Sequence, residues 1–142
     1  MKSRRKFIRA TSMLVASAGV MGYHVAHSAK RVLSINSGKG MLQHNVYFWL
    51  KDGVSESEKK AFAQGIKDFV GAVKEVKRAE IGIPADTPDR DVVDHSFAYS
   101  LFTWFTNMEN HNIYQEHPAH KKFIEDFSEL WAKVQVYDSV LI

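Results

Sequence analysis

Five side chains in this sequence have the type and spacing for acid–base chemistry: His44, His95, Tyr114, His117 and His120. An imidazole with an ordinary pKa of about 6.5 accepts a proton at neutral pH, and a nearby phenol or second imidazole can stabilise a developing enolate. There is no cysteine, which excludes disulfides, thiol nucleophiles and cysteine-ligated zinc or iron–sulfur centres. His, Asp and Glu remain as strong metal ligands, and His44, His95 and His120 with Glu116 are one conceivable set. These residues form no recognised ligand motif such as HExxH, and Pro118 interrupts the His117 and His120 pair. The expectation is therefore of no metal and no cofactor. His111 is expected on the surface, and His117 as a residue capping or flanking a helix. The competing reading makes His120 a packed or capping residue and Tyr114 a lid aromatic.

The elements that must position these residues follow from periodicity. His44 to Leu50 alternates, with His44, Val46, Phe48 and Leu50 on one face and Asn45, Tyr47 and Trp49 on the other, as a half-buried strand does. Lys51-Asp52-Gly53 ends it. Ser55 and Glu58 form a capping box, and Phe62, Ile66, Phe69, Val70 and Val73 then recur on one helical face. Val76 to Ile83 reads as a second strand and Pro84 to Asp94 as a surface loop. The four aspartates of that loop lack the spacing and terminal glutamate of a helix–loop–helix calcium site. His95 to Phe105 reads as the third strand, with His95, Phe97, Tyr99, Leu101, Thr103 and Phe105 on one face. Asn107 to about Glu116 is helical, and a second helix restarts at His117-Pro118, where proline suits the first turn. Its apolar face runs Phe123, Ile124, Phe127, Leu130, Trp131 and Val134, and Gln135 to Ile142 closes the chain as a strand.

Strand, helix, strand, strand, helix, strand predicts an α+β, ferredoxin-like (βαββαβ) domain with helices on one sheet face. Tyr47, Trp49, Phe102 and Trp104 fall on the other face. An apolar patch of that size predicts a partner, most simply a homodimer packed sheet against sheet.

The chain is 142 residues long with 45% hydrophobic and 25% charged residues, which fits one folded domain. Its formal charge of +3 is misleading. Lys2, Arg4, Arg5, Lys6 and Arg9 precede residue 30 with no acidic residue, and the remainder carries 14 basic and 16 acidic residues. That balance speaks against a nucleic-acid partner. Residues 1–29 read as an export signal: a basic start, a modestly apolar segment from Ala10 to about Val25, then small residues Ala26, Ser28 and Ala29. The apolar stretch is shorter than the roughly 18–20 strongly apolar residues a membrane span needs, so no stable membrane insertion is expected after processing. Ser3-Arg4-Arg5-Lys6-Phe7-Ile8-Arg9 resembles the bacterial twin-arginine signal, which implies export in the folded state to the periplasm. Residues 30–41 read as a polar spacer, and the domain as 42–142.

Three segments together resemble the stress-responsive dimeric α/β barrel family, called Dabb. They are His44 with its strand and the turn Lys51-Asp52-Gly53-Val54-Ser55; Asp94-His95; and Tyr114-Gln115-Glu116-His117-Pro118-Ala119-His120 with Phe123 beyond. The last is the most specific. The resemblance implies a dimeric α/β barrel built from two ferredoxin-like protomers, with a pocket between sheet and helices. Some members are cyclases that close rings by an aldol-type step without metal or organic cofactor. By that likeness His120 is the base and Tyr114 holds the substrate carbonyl, while His44, His95, Phe97 and Phe123 are expected to contact a hydrophobic or carbonyl-bearing small molecule. The alternatives are a noncatalytic protein that binds a hydrophobic metabolite and a dimeric assembly module.

Overall fold

The computed structural model describes residues 38–142. The export signal and most of the spacer read from the sequence lie outside the described residues. Four strands and three helices follow in the order β1 (Leu42–Leu50), α1 (Glu56–Ala72), β2 (Arg78–Gly82), β3 (Tyr99–Phe105), α2 (Met108–Glu116), α3 (Pro118–Phe127) and β4 (Trp131–Val140). The sheet order is β2-β3-β1-β4 with every neighbouring pair antiparallel. This is the ferredoxin-like arrangement that the alternating patterns predict.

Alternation in β1 does what its sequence implies: Leu42, His44, Val46 and Phe48 are buried under the helices. Gly53 takes φ +84°, a left-handed turn that suits glycine. The capping box opening α1 is formed, with Ser55 Oγ accepting from the Glu58 N–H at 3.3 Å and Glu58 Oε2 accepting from the Ser55 N–H at 2.8 Å. Phe62, Ile66 and Phe69 of α1 and Phe123 of α3 then close an aromatic core over Phe48, with Phe69 and Phe123 stacked at 4.6 Å. On the opposite sheet face Tyr47 packs edge-on to Phe102 at 5.8 Å and to Tyr137 at 6.2 Å. Arg78 lies over Trp104 and Lys133 over Trp49. Among the described residues no helix is long and apolar enough to cross a membrane.

The structure corrects the sequence reading in three places. β3 begins at Tyr99 rather than His95, because its pairing with β1 starts only at Tyr99 opposite Phe48. Upstream the chain is irregular and bends at Ala98, so the alternation does not carry on, and Phe97 packs on the opposite face against Tyr47 at 5.1 Å and Trp49 at 6.5 Å. β2 is shorter than expected, spanning five residues. The last helix ends at Phe127 and a 3-10 turn, Ser128–Leu130, leads into β4 at Trp131. Strand pairing from Leu50 opposite Trp131 to Leu42 opposite Val140, with the Trp131 ring on Phe48 at 5.6 Å, outweighs the helical spacing of Leu130, Trp131 and Val134.

Candidate functional site

Four elements bring titratable side chains to one end of the layer between sheet and helices. β1 supplies His44, α2 supplies His111 and Tyr114, and α3 supplies His120, while β4 sets Asp138 directly opposite His44 in the ladder. His44 donates from Nδ1 to Asp138 Oδ1 at 2.6 Å. The carboxylate accepts only, so it fixes the proton on Nδ1 and leaves Nε2 as the basic atom. Burial pushes the His44 pKa below 6.5, and this outweighs the opposing pull of Asp138.

The α2–α3 joint places the next pair. His117 ends α2 and starts α3: its Nδ1 accepts from the Ala119 N–H at 3.1 Å, and Pro118 occupies the first turn, as the sequence suggested. Across this break Tyr114 and His120 stack at 4.6 Å with planes 25° from parallel. His120 donates from Nδ1 to the Gln115 carbonyl at 3.1 Å, which again leaves Nε2 with its lone pair. Burial lowers the pKa of His120, so the ring is a neutral base at pH 7. Tyr114 is 1% exposed, and burial, reinforced by the charge of Asp138, pushes its phenol far up, so the hydroxyl keeps its proton at neutral pH and is able to donate a hydrogen bond.

His44, Tyr114 and His120 share a cavity of about 200 Å³ with Gln115 and an apolar lining that includes Phe69, Phe123 and Val136. That volume is below the roughly 300–1,000 Å³ of sites for drug-sized ligands and suits a small molecule. Phe123 lines this cavity with them. His95 and Phe97 do not. His95 shares a hydrogen bond with Thr87 Oγ1 at 2.9 Å and faces Asp89 at 3.6 Å within the loop before β3. Phe97 lines a separate groove of about 570 Å³ on the opposite sheet face with Tyr47, Trp49 and Phe102.

His111 is a further correction. Expected at the surface, it is only 8% exposed and lies 4.9 Å from His44 and 5.3 Å from Phe105 between ring centroids. Its Nε2 pairs with Gln115 Nε2 at 3.0 Å, and its Nδ1 is buried without a partner. Nitrogens of His44 and His111 and an oxygen of Asp138 lie within 4.8 Å of one another. The set weighed from sequence does not assemble in this way: His95 is in its loop, and Glu116 pairs with Lys121 at 2.7 Å. Asp138 and His111 are the site residues that sequence reasoning missed. No motif flags either, although Asp138 interrupts the run of apolar positions that faces the helices from the last strand.

The family described as Stress responsive A/B Barrel Domain (Dabb) matches residues 42–141. No functionally curated protein matches the chain by sequence. Among solved structures, a Dabb family protein with a ferredoxin-like fold from Mesorhizobium loti is 25% identical, with a TM-score of 0.60 over 73% of this chain and 99% of that one. A dimeric ferredoxin-like protein of unknown function from Thermobifida fusca is 15% identical, with a TM-score of 0.61 over 75% and 96%. The hydroxynitrile lyase of Passiflora edulis is 16% identical, with a TM-score of 0.63 over 75% and 96%. At such identities the last two likenesses show the fold alone.

Proposed function

Since the chain belongs to the stress-responsive A/B barrel domain family, we propose that it is a homodimeric, cofactor-independent cyclase or lyase that works by histidine base catalysis on a small carbonyl compound. The observation that carries this reading is the Tyr114–His120 pair: a neutral imidazole with Nδ1 anchored and Nε2 unprotonated, stacked on a phenol that burial keeps protonated, both lining one small cavity. In the proposed step His120 Nε2 takes the proton from the carbon alpha to a carbonyl. The C–H electron pair moves into the enolate, whose oxygen accepts a hydrogen bond from Tyr114. In the cyclase form the enolate carbon then attacks a second carbonyl of the same molecule, and the His120 imidazolium returns the proton to the new alkoxide. His44, aligned by Asp138, is the second imidazole at the cavity wall and is read as contacting the substrate, as is Phe123.

The apolar lining also suits binding without turnover, and one experiment separates the two. Native mass spectrometry of protein purified gently from its own host identifies what is carried, and nuclear magnetic resonance in D2O then follows that compound. A carbonyl compound whose alpha proton exchanges faster with protein than in buffer, with the acceleration lost in His120→Ala, is the expected result. Tight binding with no acceleration leaves the metabolite-binding reading and removes the catalytic one.

The dimer is proposed from the aromatic face, where Tyr47, Trp49, Phe102 and Trp104 present rings and the buried Asn45 Oδ1 lacks a partner. A sheet-to-sheet partner would cover that face, in keeping with the dimeric relative from Thermobifida fusca. Export to the periplasm is proposed from the Ser3–Arg9 run. Periplasmic accumulation should stop when the twin-arginine route alone is blocked, and undiminished accumulation would refute it.

A further inference from the structure

We propose that His44, His111 and Asp138 form a binding site for a divalent transition-metal ion of the zinc(II) class, with the Gln115 carboxamide orienting His111. The site shares His44, and with it the Asp138 hydrogen bond, with the wall of the substrate cavity, but neither His120 nor Tyr114 supplies a ligand and the acid–base step needs no ion. An ion on His44 Nδ1 would displace the Asp138 hydrogen bond and leave the ring's proton on Nε2, so the test reads metal binding and not turnover.

Two imidazoles and one carboxylate arrive from β1, α2 and β4, and their candidate ligand atoms lie within 4.8 Å of one another. Ligands of a tetrahedral zinc at 2.0–2.1 Å are spaced by about 3.3 Å, so small side-chain movements close the set. The shortest existing pair, His44 Nδ1 to Asp138 Oδ1, is 2.6 Å and would open slightly as the ion replaces the proton they share. Two nitrogens and one oxygen favour zinc, cobalt or nickel over magnesium or calcium, which prefer oxygen shells. The fourth position is left for water, and His44 also borders the cavity through which water and ion can reach it.

The independent indication is His111 itself. It is 8% exposed, and its Nδ1 is buried with no partner. With the Gln115 amide donating into Nε2, the proton is forced onto that orphaned Nδ1. Turning the amide over makes Gln115 Oε1 the acceptor of Nε2–H, and Nδ1 then holds a lone pair. Amide orientation and imidazole tautomer are coupled in this way wherever an outer residue prepares a histidine for a metal. An ion bound through Nδ1 would relieve this unpartnered nitrogen, for which no protein atom among the described residues serves as partner.

The test is titration of the full chain, without an affinity tag, with cobalt(II), read by visible ligand-field absorption and by competition with zinc(II). The leader histidines His24 and His27 can bind metal on their own, so dependence on His111 decides the matter rather than stoichiometry. Intense four-coordinate bands are expected in the parent and in His95→Ala. His111→Ala and Asp138→Asn should abolish them, and Gln115→Ala should weaken affinity by about 10–100-fold. Absence of bands in the parent, or bands that persist in His111→Ala, overturns the proposal. Should circular dichroism show that His111→Ala does not fold, His111→Gln and Gln115→Ala decide, and unchanged affinity in both refutes the site.

Discussion

Tyr114 and His120 lie face to face at 4.6 Å although they belong to different helices, and Phe69 of α1 backs both rings, at 5.9 Å and 5.5 Å respectively. The phenol cannot turn away without displacing a core aromatic, so the pair is held by packing as well as by its own stacking.

Replacing the pair separately should give distinct losses. For a verified substrate, His120→Ala is expected to lower kcat by about 10²–10⁴-fold, the usual worth of a positioned base. Tyr114→Phe keeps the ring and the stack and removes only the hydroxyl, and should cost about 10²–10³-fold in kcat with little change in KM. Steady-state kinetics with circular dichroism as a folding control checks both, and an unchanged kcat in His120→Ala would end the base assignment.

The pH dependence has a definite sign. His120 works unprotonated, and burial lowers its pKa below 6.5; the Gln115 carbonyl and Glu116 oppose that shift, while His111 and His117 add to it. Activity should therefore be flat through neutrality and fall only as pH drops through a value below 6.5. Stability carries the same signature. The unfolded chain binds the proton first, so the contribution of His120 is complete above about 6.5 and is lost as pH falls from there through the lower folded value. Measuring kcat/KM and thermal stability between pH 4 and pH 8 tests both, and an activity midpoint above 6.5 contradicts the burial argument.

Two glycines of α1 should respond oppositely to alanine. A methyl group at Gly65 would overlap the Phe127 ring at Cε2, and that ring is packed against Phe62 and Phe123. Gly65→Ala should cost about 1–3 kcal/mol through overpacking. Nothing lies within 4 Å of a methyl at Gly71, so Gly71→Ala should gain about 0.4–1 kcal/mol by restricting the unfolded chain. Urea denaturation of the two variants supplies the comparison.

The aromatic sheet face gives an assembly prediction. Phe102→Asp places a charge beside Tyr47, where a sheet-to-sheet partner would have to desolvate it. Light scattering should move from the mass of two chains to that of one, with far-ultraviolet dichroism preserved. A parent protein that is already a monomer would refute the dimer.

Much of this was legible from local pattern. The alternation of β1, the Ser55–Glu58 cap and the proline restart at residue 118 each report a backbone preference that tertiary packing leaves intact. What escaped was set by distant register. Asp138 meets His44 only because β4 pairs with β1 across 94 residues, and nothing within Trp131–Val140 announces that partner. His111 sits in the polar run Glu109-Asn110-His111-Asn112, where composition suggests solvent, yet α2 packs on β3 and turns that ring toward Phe105 and His44. Phe97 was misplaced for the converse reason: alternation was extended into a segment with no strand beside it to enforce the pleat.

The single-residue joint at His117, with its extended ψ of 135°, sets the geometry of the pair on either side of it. On one unbroken helix, residues six apart point about 240° from one another around the axis and sit ~9 Å apart along it, too far to stack. The joint folds that distance away, so the spacing of phenol and imidazole is written in chain length as much as in residue type. Adding one residue to α3 ahead of His120 would swing the imidazole by about 100°, leaving every side chain of the site present and the pair undone.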